Sequence, residues 1–134
     1  MQAKIELVPI PVTDVDRAKA FYVEKLGFHD DFDQWTQEGT RAVQLTPPGS
    51  ACSIFLGVNV TDMAPGSLHG VLMVVDNAHN AYDELIARGV EASPVADLGW
   101  GLFTFFSDPD GNQWQVQELP KDNPDATTNT EDVN

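Results

Sequence analysis

Three punctuation points recur at one spacing along this chain. Asp14 and Asp76, Gly27 and Gly89, and Gly49 and Gly111 are each 62 residues apart. An aspartate ahead of a helical stripe, a glycine where the stripe ends and a glycine in a later turn describe a duplicated supersecondary unit. Residues 5–12 alternate as a strand and contain Pro9 and Pro11, whose missing N–H groups suit a free edge. Residues 13–26 follow as a helix. Its apolar stripe is Val15, Ala18, Phe21, Tyr22 and Leu26, with Thr13 and Asp16 spaced as a capping box and Gly27 as the stop. Strands over 28–35, 41–46 and 52–57 come next, punctuated by Gly39 and Pro47-Pro48-Gly49.

After a polar connector over 61–67 the order repeats: strand 69–75, helix 77–88 capped by Asn77 and stopped by Gly89, and strands 90–95, 102–106 and 113–119. The second helix carries Ala78, Ala81, Tyr82, Leu85 and Ile86 as its stripe, about one residue out of phase with the first at this offset. One such module is a small helix on an open sheet, which is marginally stable. Two side by side curl their sheets around a shared concavity, a usual place for a ligand. The expectation is an α+β fold: two tandem βαβββ modules forming a concave, curled mixed sheet with helices on the outer side. A single domain covers 1–120, with module one at about 4–58 and module two at about 68–119. The acidic, apolar-poor segment 121–134 is expected to be a disordered tail.

Charge narrows the partners. Lys and Arg number 7 against 21 Asp and Glu, a formal net charge of −14. A nucleic-acid binder needs a basic footprint, and an anionic membrane repels such a chain, so neither partner is expected. A cationic ligand is steered in. Cys52 is the only cysteine, which excludes an intramolecular disulfide and a cysteine zinc site. No apolar run approaches 18 residues, and Met1-Gln2-Ala3-Lys4 leads into a strand without a signal-peptide core. A cytoplasmic setting is the expectation.

Leu7-x-x-Ile10-x-Val12-x-Asp14, Phe21-Tyr22 and Leu26-Gly27-Phe28 open the chain. His69-x-x-Leu72-x-Val74-x-Asp76 and the turn Ser107-Asp108-Pro109-Asp110-Gly111-Asn112 mark the second half. These motifs resemble the vicinal oxygen chelate superfamily, which includes glyoxalase I, extradiol dioxygenases and bleomycin-resistance proteins. The resemblance implies paired βαβββ modules and commonly a homodimer, sometimes with exchanged modules. In the metal-using members, four positions on the first and last strands hold a divalent ion. By the repeat spacing those positions carry Leu7, Ser53, His69 and Gln115, and a slightly different register puts Gly70 in place of His69. Leu7 cannot coordinate, and the set has no carboxylate, whereas a catalytic ion takes about three His, Asp, Glu or Cys ligands.

The expected protein is therefore a metal-independent binder of small molecules of the bleomycin-resistance type, without catalytic residues or cofactor, capturing a cationic aromatic antibiotic. The alternative is a metal-dependent lyase, isomerase or dioxygenase, using His69 and Gln115 toward Zn, Ni, Mn or Fe. The expected ligand-binding residues are Leu7, Trp35, Ser53, Phe55, His69, Trp100, Gln113 and Gln115. Period two places Gln113, Gln115 and Gln117 on one sheet face, where amides orient a polar ligand without committing a charge. Trp100 stands between Gly99 and Gly101, a position that core packing explains poorly. Trp35, beside Asp30, Asp31 and Asp33, offers a face to a flat or cationic ligand.

Overall fold

The computed structural model describes residues 1–36 and 38–121. Beyond Lys121, the tail expected at 121–134 lies outside the described residues. The first module runs β1 (Leu7–Pro9), α1 (Val15–Ala20) continuing into a wider helical turn (Phe21–Lys25), β2 (His29–Trp35), β3 (Arg41–Thr46) and β4 (Ser53–Val58). The second runs β5 (His69–Val75), α2 (Ala78–Ala87), β6 (Ala96–Asp97), β7 (Leu102–Ser107) and β8 (Gln113–Glu118). Each module is a four-stranded mixed sheet, ordered β1-β4-β3-β2 and β5-β8-β7-β6, with its first strand parallel to its last. This is the expected α+β architecture. Among the described residues the two sheets are not hydrogen-bonded to each other, and β1 and β5 each keep an unpaired edge. Ile10 N–H donates to Phe55 O at 2.9 Å, which turns the nitrogens of Pro9 and Pro11 away from β4.

Local chemistry departs from the sequence reading at two places. Asp14, not Thr13, caps α1: its side chain accepts from Arg17 N–H at 3.0 Å. Thr13 is engaged elsewhere, both its N–H and its hydroxyl donating to Asp110 Oδ1. The strand expected at 90–95 is not formed, Pro94 having no N–H to give a ladder, and the two-residue β6 lies beyond it. Ser93 alone keeps contact there, its N–H donating to Phe105 O at 2.9 Å. Asn77 caps α2 as expected, accepting from Asn80 N–H at 2.9 Å.

The phase slip between the two helical stripes also has a structural cause. Gly70, at φ +87°, makes a bulge in β5 that adds one residue before α2. In the first helix Leu26 N–H reaches back five residues to Phe21 O at 3.2 Å, a wider turn that holds one residue more than an α-turn. The caps Asp14 and Asn77 are thus one residue further apart than the stops Gly27 and Gly89. The second insertion restores the spacing that the first disturbs.

One core joins the modules. Ile10, Tyr22, Val43, Leu45 and Leu56 from the first pack with Leu85, Phe106, Trp114 and Val116 from the second. The rings of Tyr22 and Trp114 lie 5.6 Å apart, and those of Phe21 and Phe106 6.2 Å. Both sheets therefore turn their helix-side faces toward a common interior. Their opposite faces, called open faces below, look outward.

Candidate functional site

The open face of the second module is built on three adjacent strands. Cα pairing sets His69 beside Gln113, and across β5, β8 and β7 it makes rows of Leu72, Gln115 and Phe105 and of Val74, Gln117 and Phe103, with the glutamine in the middle of each. Alternation sends Trp114 and Val116 into the core and leaves the glutamines on the far side. Leu72 and Val74 on one side and Phe105 on the other are exposed, an apolar shelf divided by the central row of amides. A cavity of about 690 Å³ opens at this end of the sheet; it touches Gly70, Phe105, Gln113 and Gln115 and extends to Phe21, Lys25, Glu91, Phe106 and Trp114 on the helix side, without reaching Leu72, Val74, His69 or Trp100. Phe103 belongs to the same face but is fully buried. The Trp100 ring covers it, with centroids 4.6 Å apart.

The open face of the first module is more polar. Leu7 pairs with Ser53, and Pro9 with Phe55, which faces Gln44 and then Phe32. Hydrogen bonds cross these strands. The Gln44 amide donates to Ser53 Oγ at 3.0 Å and to Glu6 Oε2 at 3.2 Å. Thr46 donates its hydroxyl to Asp31, so Ser53 Oγ donates to Thr46 Oγ1 at 2.7 Å. The Thr46 hydroxyl, and after it His29, hold the Asp31 carboxyl below its usual range. Sequence reasoning missed Gln44 and Thr46. Their signal was present as polar positions alternating with Val43 and Leu45.

The expected site residues thus fall into two groups. Leu7, Ser53 and Phe55 lie on the open face of module one. His69, Trp100, Gln113 and Gln115 lie on that of module two. Within one chain the two groups face away from each other. Trp35 joins neither: it pairs with Arg41 on the helix side of β2 and is 63% exposed. Its aspartate neighbours are also committed. Asp33 accepts from Arg41 Nη2 at 2.9 Å and Lys19 Nζ at 2.7 Å, and these cations, Arg41 foremost, hold its carboxyl well below the usual range.

The donor set does not fit a divalent ion. Leu7 has no lone pair to give, and the Ser53 hydroxyl is bonded within the sheet. A Cβ on Gly70 would lie 3.4 Å from Gln115 Nε2, so glycine, not histidine, faces that amide, and His69 pairs one step away with Gln113. Among the described residues no three His, Cys, Asp or Glu side chains converge.

Two mirrored βαβββ units with first and last strands parallel define a protein class. The chain belongs to the Glyoxalase/Bleomycin resistance protein/Dioxygenase superfamily, whose sequence profile matches residues 4–116. Within it, the chain is similar to TnmS3, an antibiotic binding protein from Streptomyces sp. CB03234. They share 36% identity over 89% of this chain and 98% of that one, with a TM-score of 0.81. A superfamily member from Sphaerobacter thermophilus DSM 20745 is 33% identical over 87% of this chain and 98% of its own, with a TM-score of 0.78. The uncharacterized protein YwkD of Bacillus subtilis (strain 168) is 30% identical over 79% of this chain and 89% of its own length. No helix among the described residues is long and apolar enough to cross a membrane.

Proposed function

We propose that this protein is a metal-independent small-molecule binder that sequesters a cationic aromatic antibiotic in the cytoplasm, as a homodimer. The observation that carries this reading is the cavity of about 690 Å³ against Phe105, Gln113 and Gln115, within the size range of ligand pockets. Phe105, the shelf residue that lines this cavity, takes an aromatic ring. Gln113 and Gln115 orient the ligand's polar atoms, and His69 and Trp100 bound the open face outside the cavity. The net charge of −14 draws a cation toward it. The similarity to TnmS3 supports the same class of ligand.

The arrangement of the open faces supports the homodimer. The two open faces diverge within one chain because their backs share a core. A groove using both needs two chains, with Leu7, Ser53 and Phe55 of one copy set against the shelf of the other. The free edges of β1 and β5 are the places where such copies meet.

Titration of the tryptophan fluorescence with bleomycin, a cationic glycopeptide antibiotic, and with a planar cationic dye tests the reading. Saturable quenching at one ligand per groove in metal-free protein is the expected result. No quenching by either probe up to about 1 mM, the Kd of a complex worth only about −4 kcal/mol, overturns it.

A further inference from the structure

The three glutamines of β8 are chemically alike but differently placed. No side-chain hydrogen bond among the described residues engages Gln113 or Gln115, so their amides face the cavity uncommitted. Gln117 is only 4% exposed, and its Nε2 donates to the Trp100 carbonyl oxygen at 2.9 Å. That bond ties the tip of the β6–β7 hairpin to the sheet. The tip's other bonds are internal: Leu98 N–H donates to Gly101 O at 3.1 Å, and Gly99 N–H to Asp97 Oδ1 at 2.9 Å. Gly101, at φ +149°, is what admits the amide, because a Cβ there would lie 2.7 Å from Gln117 Nε2 and 2.8 Å from Glu118 O. With its carbonyl held, Trp100 lays its ring on Phe103 and remains 58% exposed.

We propose that Gln117 is the positioning residue for Trp100, fixing the indole as a rigid end wall of the open face for a planar aromatic ligand. It acts through the carbonyl and does not touch the ligand. The idea rests on the reading of this face as the ligand site. The physical benefit is pre-organisation: a wall already in place loses no conformational freedom when the ligand arrives.

The test uses the full chain in a Trp35→Phe background, where Trp114 is buried and acrylamide quenching reports on Trp100. Gln117→Glu keeps the shape but presents a carboxylate to a carbonyl. Gln117→Met keeps the length, has no donor and serves if the glutamate variant fails to fold. In ligand-free protein either variant is expected to raise the acrylamide quenching constant and lower the fluorescence anisotropy. Bleomycin binding, read by calorimetry, is expected to weaken about tenfold, the value of one hydrogen bond. In a Trp100→Ala background the same Gln117 substitutions are expected to cost no further affinity, which a merely structural role does not predict. Unchanged quenching and anisotropy in folded variants overturn the proposal, as does an equal loss of affinity with and without Trp100. If the parent protein binds no probe at all, the reading of the site fails, while the ligand-free quenching still decides the role of Gln117.

Discussion

The Tyr22 hydroxyl donates to Asp108 Oδ2 at 2.7 Å and accepts from Trp114 Nε1 at 3.0 Å, which locks the first helix to the Asp-Pro-Asp-Gly-Asn turn of the second module. Burial, and then the Asp108 carboxylate, push the Tyr22 hydroxyl up from its usual range, so it remains a donor. Asn112 Nδ2 reaches from the same turn to Asp108 Oδ2 and to Pro11 O, both at 2.8 Å. Asp108 Oδ1 accepts from the backbone N–H groups of Asp110 and Asn112, which shapes the turn as its sequence implied. Tyr22→Phe leaves Trp114 Nε1 without its acceptor. The expected cost is about 1–3 kcal/mol. Urea unfolding should show a lower midpoint at unchanged m-value. A shift too small to measure would show the lock to be unimportant.

Gly66 is where the connector docks between modules. Its N–H donates to Pro11 O at 3.2 Å, its φ is +77°, and a Cβ there would lie 2.2 Å from Asp110 O. Gly66→Ala therefore meets both a left-handed backbone and a backbone clash. The expected loss is about 1–3 kcal/mol. Gly49→Ala has a similar φ of +83° but open space around it, and should cost less. Thermal melts of the two variants separate the effect of the clash from that of the conformation.

Asp33 governs part of the acid sensitivity. Its folded-state carboxyl is depressed, chiefly by Arg41. Such a group stabilises the fold above the pKa of the unfolded chain, about 3.9, and that contribution is lost as the pH falls below it. Asp33→Asn should lower Tm at pH 7. As the pH drops below about 4, the difference from wild type should shrink. A difference independent of pH would mean that Asp33 acts through shape and not charge.

The free edge of β5 carries Val74, 58% exposed, on the open face. If this edge joins two copies, light scattering should give twice the 14.6 kDa chain mass. Val74→Lys puts a charge into the contact and should shift the mass to that of one chain with an unchanged circular dichroism spectrum. A single-chain mass for the wild type at about 100 μM, well above the Kd of a stable dimer, would remove the composite groove.

Much of the fold was legible because it is local. Period-two and helical stripes, Asn77 as a cap, and glycines at the ends of both helices depend on near neighbours, so each can be read in a short window. The repeat spacing added the topology. The cap of α1 was misread because Thr13 is claimed by Asp110, a partner from the other module. Trp35 was misplaced for a similar reason: a bulge between Asp30 and Phe32 sets which later β2 residues reach the open face.

The sequence by itself determined the duplicated architecture, the absence of a coordinating side chain at Leu7, and the acidic field that favours cations, since these are properties of residue type and spacing. Only the tertiary structure decided that the two open faces point apart and that Gln117 is spent on Trp100 while Gln113 and Gln115 make no side-chain hydrogen bond among the described residues. The physical reason is that side-chain direction and hydrogen-bond partners are set by how distant segments pack around the shared core of Tyr22, Phe106 and Trp114, and no local pattern encodes that packing.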